Sequence, residues 1–218
     1  MTVIKNNYLT DQCPLCEHMG ITFYKSKKQH FYSCNNCLGI YVRHDLRPTK
    51  SLEKARYEEH NNDVEDKRYQ NFVQPIVNEV IINQEAQQSG LDYGAGTGPV
   101  ISNILHKKGY NVELFDPFFH PNSKALSEKY DYIICCEVVE HFHSPYVEFE
   151  KLKKLLKPNG RIYIMTDIYN NSIDFKKWYY KNDITHVFIY RKETLKWIKE
   201  NLNFTNLKIE NRLIVFST

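Results

Sequence analysis

Apolar and polar positions along the 218-residue chain alternate between two periods. Short apolar-rich runs, some broken by a single charged residue, fall at 91–93, 112–115, 132–136 and 161–165 and read as buried strands. Between them apolar residues recur at helical spacing. Val100, Ile101, Ile104 and Leu105 follow Pro99; Val147, Phe149, Leu152, Leu155 and Leu156 form a second stripe; Leu195, Trp197, Ile198 and Leu202 form a third. A further helix is predicted over 69–82, a turn at Lys157-Pro158-Asn159-Gly160, and a closing antiparallel pair over 207–209 and 213–216 around Asn211. Strands alternating with helices predict an α/β fold, a mostly parallel sheet with helices on both faces and an antiparallel last strand.

The stretch Leu91-Asp92-Tyr93-Gly94-Ala95-Gly96-Thr97-Gly98 joins the first of these strands to its helix. Glycines let the backbone turn tightly against a ligand, and the helix that follows points free N–H groups at the same place. A dinucleotide would set its pyrophosphate over this turn, where Asp92 repels it; S-adenosylmethionine has no phosphate, and its sulfonium and ammonium attract the same carboxylate. Asp116 ends the next strand, about 20 residues past the glycines, where a nucleoside-binding sheet takes the ribose hydroxyls.

With Tyr132-Ile133-Ile134-Cys135-Cys136-Glu137 and the segment Glu137-Val138-Val139-Glu140-His141 that follows, residues 65–218 resemble the class I S-adenosylmethionine-dependent methyltransferases. The resemblance implies a Rossmann-like sheet. It also implies a cofactor set of Asp92, Tyr93, Gly94, Ala95, Gly96, Gly98, Asp116, Pro117, Phe118, Glu137 and Val138. Most members carry a full strand and helix between the second and fourth strands. Here only 117–130 is available, with Pro117 and Pro121, so the third strand is expected to be very short and the adenine contact is unassigned; Phe118 or Phe119 either stacks on adenine or fills the core. The wider set Asp116-Pro117-Phe118-Phe119, Glu137 to His143 and Thr185-His186-Val187-Phe188-Ile189-Tyr190 is similar to a group of uncharacterised bacterial class I methyltransferases, a similarity that carries no substrate with it.

Cysteine spacing adds a second module. Cys13-Pro14-Leu15-Cys16 and Cys34-Asn35-Asn36-Cys37 are two C-x-x-C pairs with 17 residues between them, the spacing of a four-thiolate zinc site. The intervening 21–33 alternates as a hairpin, so residues 1–45 read as a zinc ribbon. A closed four-sulfur shell leaves no open position, which makes the zinc structural. Two disulfides are the competing reading, without a secretory context to favour oxidation. His18 and His30 read as solvated, and Cys135 and Cys136 as core. Residues 46–66 are polar and read as a linker or lid with a helix over 51–60, capped near Ser51, on which Tyr57 and His60 share a face. Residues 67–218 form the methyltransferase-like domain.

Composition narrows the partners. Hydrophobic content of 42% supplies a core, and a net charge of +3 is too small to imply nucleic acid. No apolar run approaches the roughly 20 residues needed to span a membrane. A cytoplasmic protein is the expectation. Lys25, Lys27 and Lys28, with Tyr24, Phe31 and Tyr32 around them, form a patch that either contacts RNA or is a solvated hairpin tip. Loops after the fourth and fifth strands should rim the acceptor site, walled by Tyr169, Trp178, Tyr179 and Tyr180. Candidate bases are His186, His143, His141 and Glu137, needed only for an acceptor that must lose a proton. The expected activity is in-line methyl transfer to a small molecule; the alternatives are an RNA methyltransferase and a cofactor-binding scaffold without turnover.

Overall fold

The computed structural model describes residues 10–59 and 63–218; the expected pairing of Tyr57 with His60 lies outside them. Two sheets organise the chain. The larger is built from β5 (Ser89–Tyr93), β6 (Asn111–Phe115), β7 (Tyr130–Cys136), β8 (Leu156–Met165), β10 (Asn206–Glu210) and β11 (Leu213–Ser217). Their order is β10-β11-β8-β7-β5-β6. β6, β5, β7 and β8 run parallel, and β11 runs antiparallel to both of its neighbours, β8 and β10.

Side chains alternate faces along each strand. Leu91, Tyr93, Ile133 and Cys135 join α4 (Pro145–Lys154) and α5 (Lys192–Asn201) in one core. Tyr132 and Ile134 pack on the opposite face with Val73, Ile76, Val77 and Val80 of α2 (Lys67–Asn83) and with Val100, Ile101 and Leu105 of α3 (Val100–Lys107). Each such buried aliphatic side chain contributes about 1.5–3 kcal/mol. The burial pattern of α4 departs from its sequence stripe, because Val147 faces solvent and Leu156 belongs to β8.

The expected short third strand is absent. After Asp116 the chain makes only an isolated bridge to His120 and a 3-10 turn at Lys124–Leu126 before β7. Prolines at 117 and 121 lack ladder donors, and the Asp116 carboxylate takes the N–H groups of Phe118 and Phe119, so the chain turns instead of extending. β6 is therefore the sheet edge. The turn at 157–160 also differs in form: it is a bulge inside β8, with Tyr130 paired to Leu156 and Tyr132 to Arg161, and Asn159 at positive φ.

The second sheet holds β1 (Thr10–Gln12), β2 (Met19–Lys25), β3 (His30–Cys34) and β4 (Ile40–Val42), all antiparallel. Its fifth strand is β9 (Phe188–Ile189), contributed from the far end of the sequence. Tyr169, Phe175 and Trp178 pack with Phe23 and Phe31 under this junction. α1 (Lys50–Glu58) follows, capped by Thr49, whose hydroxyl accepts from Leu52 N, and not by Ser51.

Candidate functional site at the carboxyl end of the parallel strands

Gly94 sits at φ +85°, and a Cβ there would fall 2.5 Å from Val138 Cγ2, so only glycine fits. The Gly96 N–H donates to Asp116 Oδ2 at 3.0 Å, while Asp116 Oδ1 accepts from Phe118 N and Phe119 N at 2.8 and 3.0 Å. One carboxylate thus ties the glycine turn to the tip of β6. Asp92 is buried, accepts a 2.7 Å bond from Ser102 Oγ, and is pushed up to about 6 by burial.

These groups line one end of a cavity of about 1450 Å³. Tyr93, Gly94, Ala95, Gly96, Gly98, Pro117, Phe118, Glu137 and Val138 also line it. α1 covers the cavity. Glu53 meets His143, Arg56 donates from Nε and Nη2 to Asp183 Oδ2 at 3.1 and 2.9 Å, and Tyr57 lies edge-on to His141 with ring centroids 5.2 Å apart.

Two histidines that line the same cavity meet edge-on, with ring centroids 5.0 Å apart. The Nδ1 of His141 lies 2.9 Å from the Thr185 carbonyl, and the Nδ1 of His186 lies 2.7 Å from the Tyr180 carbonyl. A carbonyl only accepts, so each Nδ1 carries the proton, and the neutral tautomer this selects has its lone pair on Nε2. Burial lowers the His186 pKa and favours that neutral form. Behind them the fully buried Glu140 accepts from Thr166 Oγ1 at 3.0 Å and Tyr180 Oη at 2.7 Å. One donor atom from each of Glu140, His141 and His186 lies within 4.8 Å of the others, a carboxylate and two oriented imidazoles that could hold a divalent cation.

A methyltransferase domain model matches residues 65–209. The chain belongs to the class I methyltransferase family. Among curated relatives, the ubiquinone biosynthesis O-methyltransferase of Serratia proteamaculans is 29% identical over 91 residues, 42% of this chain and 38% of that protein. The match thus spans well under half of that relative. The 1,6-didemethyltoxoflavin-N1-methyltransferase of Burkholderia thailandensis, solved with S-adenosylhomocysteine, superposes with a TM-score of 0.55 at 12% identity, covering 90% of this chain and 97% of that one. A methyltransferase from Archaeoglobus fulgidus gives 0.53 at 15% identity over 78% and 100%. At these identities the likeness is one of fold.

Within this family member the sequence-predicted residues fall into separate groups. His186 and His141 come together. His143 lies apart, with Nε2 2.7 Å from Glu53 Oε1. Glu137, at φ +54°, is bound through both oxygens by Arg212 Nη2 at 2.7 and 2.8 Å, so its carboxylate is engaged in an ion pair. Tyr179 and Tyr180 line the cavity, whereas Tyr169 and Trp178 pack in the core beneath the second sheet. Cys136 also reaches the cavity, with its thiol pushed up by burial. Sequence reasoning did not single out Glu53, Arg56, Asp183 or the carboxylate of Glu140. For the first two the sequence offered only a polar linker helix over 51–60, which says nothing of what its side chains meet.

The four N-terminal cysteines converge. Cys13 and Cys37 Sγ lie 3.6 Å apart, Cys16 and Cys34 Sγ 3.3 Å apart, and all four are within 4.8 Å. Tetrahedral zinc with bonds of about 2.3 Å needs sulfurs about 3.8 Å apart, which this group matches. Both knuckles end alike, with Glu17 and Leu38 at positive φ. His30 is buried, bonded to Thr22 and stacked on Tyr32, contrary to its expected solvation; His18 is exposed. Phe31 and Tyr32 are buried, so neither ring is available to stack on a base. Among the described residues no helix is long and apolar enough to cross a membrane.

Proposed function

We propose that the protein transfers a methyl group from S-adenosylmethionine to a hydroxyl of a small organic acceptor. The observation that carries this reading is one cavity lined both by the glycine turn, Asp92 and Asp116 and by His141 and His186, whose rings lie 5.0 Å apart with each Nδ1 held by a backbone carbonyl. Asp92, Tyr93, Gly94, Ala95, Gly96, Gly98, Asp116, Pro117, Phe118, Glu137 and Val138 surround the cofactor, with Asp116 on the ribose. Methyl transfer from a sulfonium is an in-line displacement, accelerated by holding nucleophile and methyl carbon aligned in a dry pocket under α1. His186 or His141 takes the acceptor proton at Nε2. The O-methyltransferase names of the curated relatives support an oxygen acceptor. The buried ribbon aromatics favour a small molecule over RNA.

The Glu140, His141 and His186 group favours a second reading of the same step. A divalent cation held by Glu140, His141 and His186 would supply Lewis acidity at the acceptor oxygen. The ribbon, residues 1–45, is a structural zinc module held by Cys13, Cys16, Cys34 and Cys37. Residues 46–66 form the lid, and 67–218 the catalytic domain.

Incubation with methyl-labelled cofactor and a panel of phenols, catechols and sugars, with and without added magnesium or manganese, tests the proposal. Labelled product that falls at least tenfold in His186→Ala, with cofactor affinity retained, is expected. Cofactor binding without product from any hydroxylated acceptor leaves the scaffold reading.

A further inference from the structure

In the class this chain belongs to, a third strand ordinarily carries the adenine contact, and here that strand is absent, so the base-recognising groups must come from elsewhere. The same cavity is lined by Tyr93, Phe115, Phe118 and Phe119 and, from the first two turns of α4, by Glu148 and Lys151. Glu148 and Lys151 are three apart and share a helix face. Tyr93 Oη donates to Glu148 Oε2 at 2.6 Å and accepts from Lys151 Nζ at 2.7 Å, and Nζ stands 3.5 Å from the same carboxylate. Lys151 also lies over the Tyr93 and Phe115 rings, 5.1 and 5.6 Å from their centroids. The second carboxylate oxygen, Oε1, accepts from none of the described residues.

We infer that Glu148 and Lys151 read the adenine edge of the cofactor in place of the missing strand, with Phe118 or Phe119 against the ring face. The inference rests on the cofactor site proposed above. The chemistry is complementary: Glu148 Oε1 accepts from the exocyclic 6-amino group, and Lys151 Nζ donates to the neighbouring ring nitrogen N1. A 6-oxo purine reverses both polarities, presenting an acceptor to the carboxylate and an N–H to the ammonium. The α4 pair therefore selects adenine over hypoxanthine. Tyr93 positions the two by bridging them.

Calorimetry of the full-length chain with S-adenosylhomocysteine and S-inosylhomocysteine tests this without knowledge of the acceptor. Wild type is expected to bind the adenine compound at least about tenfold more tightly. Glu148→Gln, whose amide can donate to a 6-oxo group, is expected to bring the two affinities within about threefold, at unchanged thermal stability. Equal wild-type affinities overturn the inference while leaving the cofactor site intact. Absence of binding by either compound overturns the site as well. The wild-type comparison requires no variant to fold.

Discussion

The carboxylate of Glu53 meets the imidazole Nε2 of His143 at 2.7 Å across ninety residues of sequence. Glu53 is buried, and Arg56 and Tyr57, three and four positions on, make their own contacts to Asp183 and His141. A single face of α1 thus holds the cavity cover through three side chains. The His143 side chain is 40% exposed, so water can take up the ring N–H once the acceptor is gone. Glu53→Ala is expected to lower unfolding free energy by about 0.5–1.5 kcal/mol. Urea denaturation at pH 7 measures it, and an unchanged midpoint would show that the pair does not form in solution.

Asp92 carries a pH dependence. Burial raises its folded-state pKa from 3.8 to about 6, so between these values the folded protein holds a proton that the unfolded chain has lost. Stability of the ligand-free protein therefore falls as pH rises through that window, by about 3 kcal/mol, and levels off above it. Asp92→Asn should abolish the fall. A cationic cofactor favours the ionised carboxylate, so S-adenosylmethionine should bind more tightly from pH 5 to pH 7 and release a proton. Calorimetry in two buffers of different ionisation enthalpy counts that proton; a pH-independent affinity would remove Asp92 from the cofactor site.

The four-thiol group predicts one zinc per chain in freshly reduced protein. Cys13→Ser and Cys37→Ser should each lose the metal and loosen the β1–β4 sheet. Because β4 pairs with β9, that loss should also perturb the segment carrying His186. Metal analysis and amide exchange over residues 185–190 check both parts; metal-free reduced protein with full protection would reject the ribbon as a zinc module.

Much of the architecture was legible because it is local. The apolar runs of β5, β6 and β7, the glycines after Asp92 and the stripes of α3 and α5 each report a period that short-range backbone geometry imposes. The paired C-x-x-C knuckles are local in the same sense. Where the sequence reading erred, pairing and packing decided. His30 carries no mark of burial in its own segment, yet the β2–β3 hairpin sets Thr22 against it and Tyr32 stacks on its ring. Tyr169 and Trp178 sit on a loop suited to an acceptor wall but are drawn under the second sheet by Phe23 and Phe175.

By itself the chain determined the parallel α/β sheet, the glycine turn flanked by Asp92 and Asp116, and the cysteine module, since periodicity and residue spacing encode all three. Tertiary structure alone decided that Arg212 engages Glu137, that Glu53 rather than an acceptor meets His143, and that His141 and His186 face one another beside Glu140. The physical reason is that a side chain's ionisation and free lone pairs depend on what touches it, and those partners lie tens of residues away in sequence.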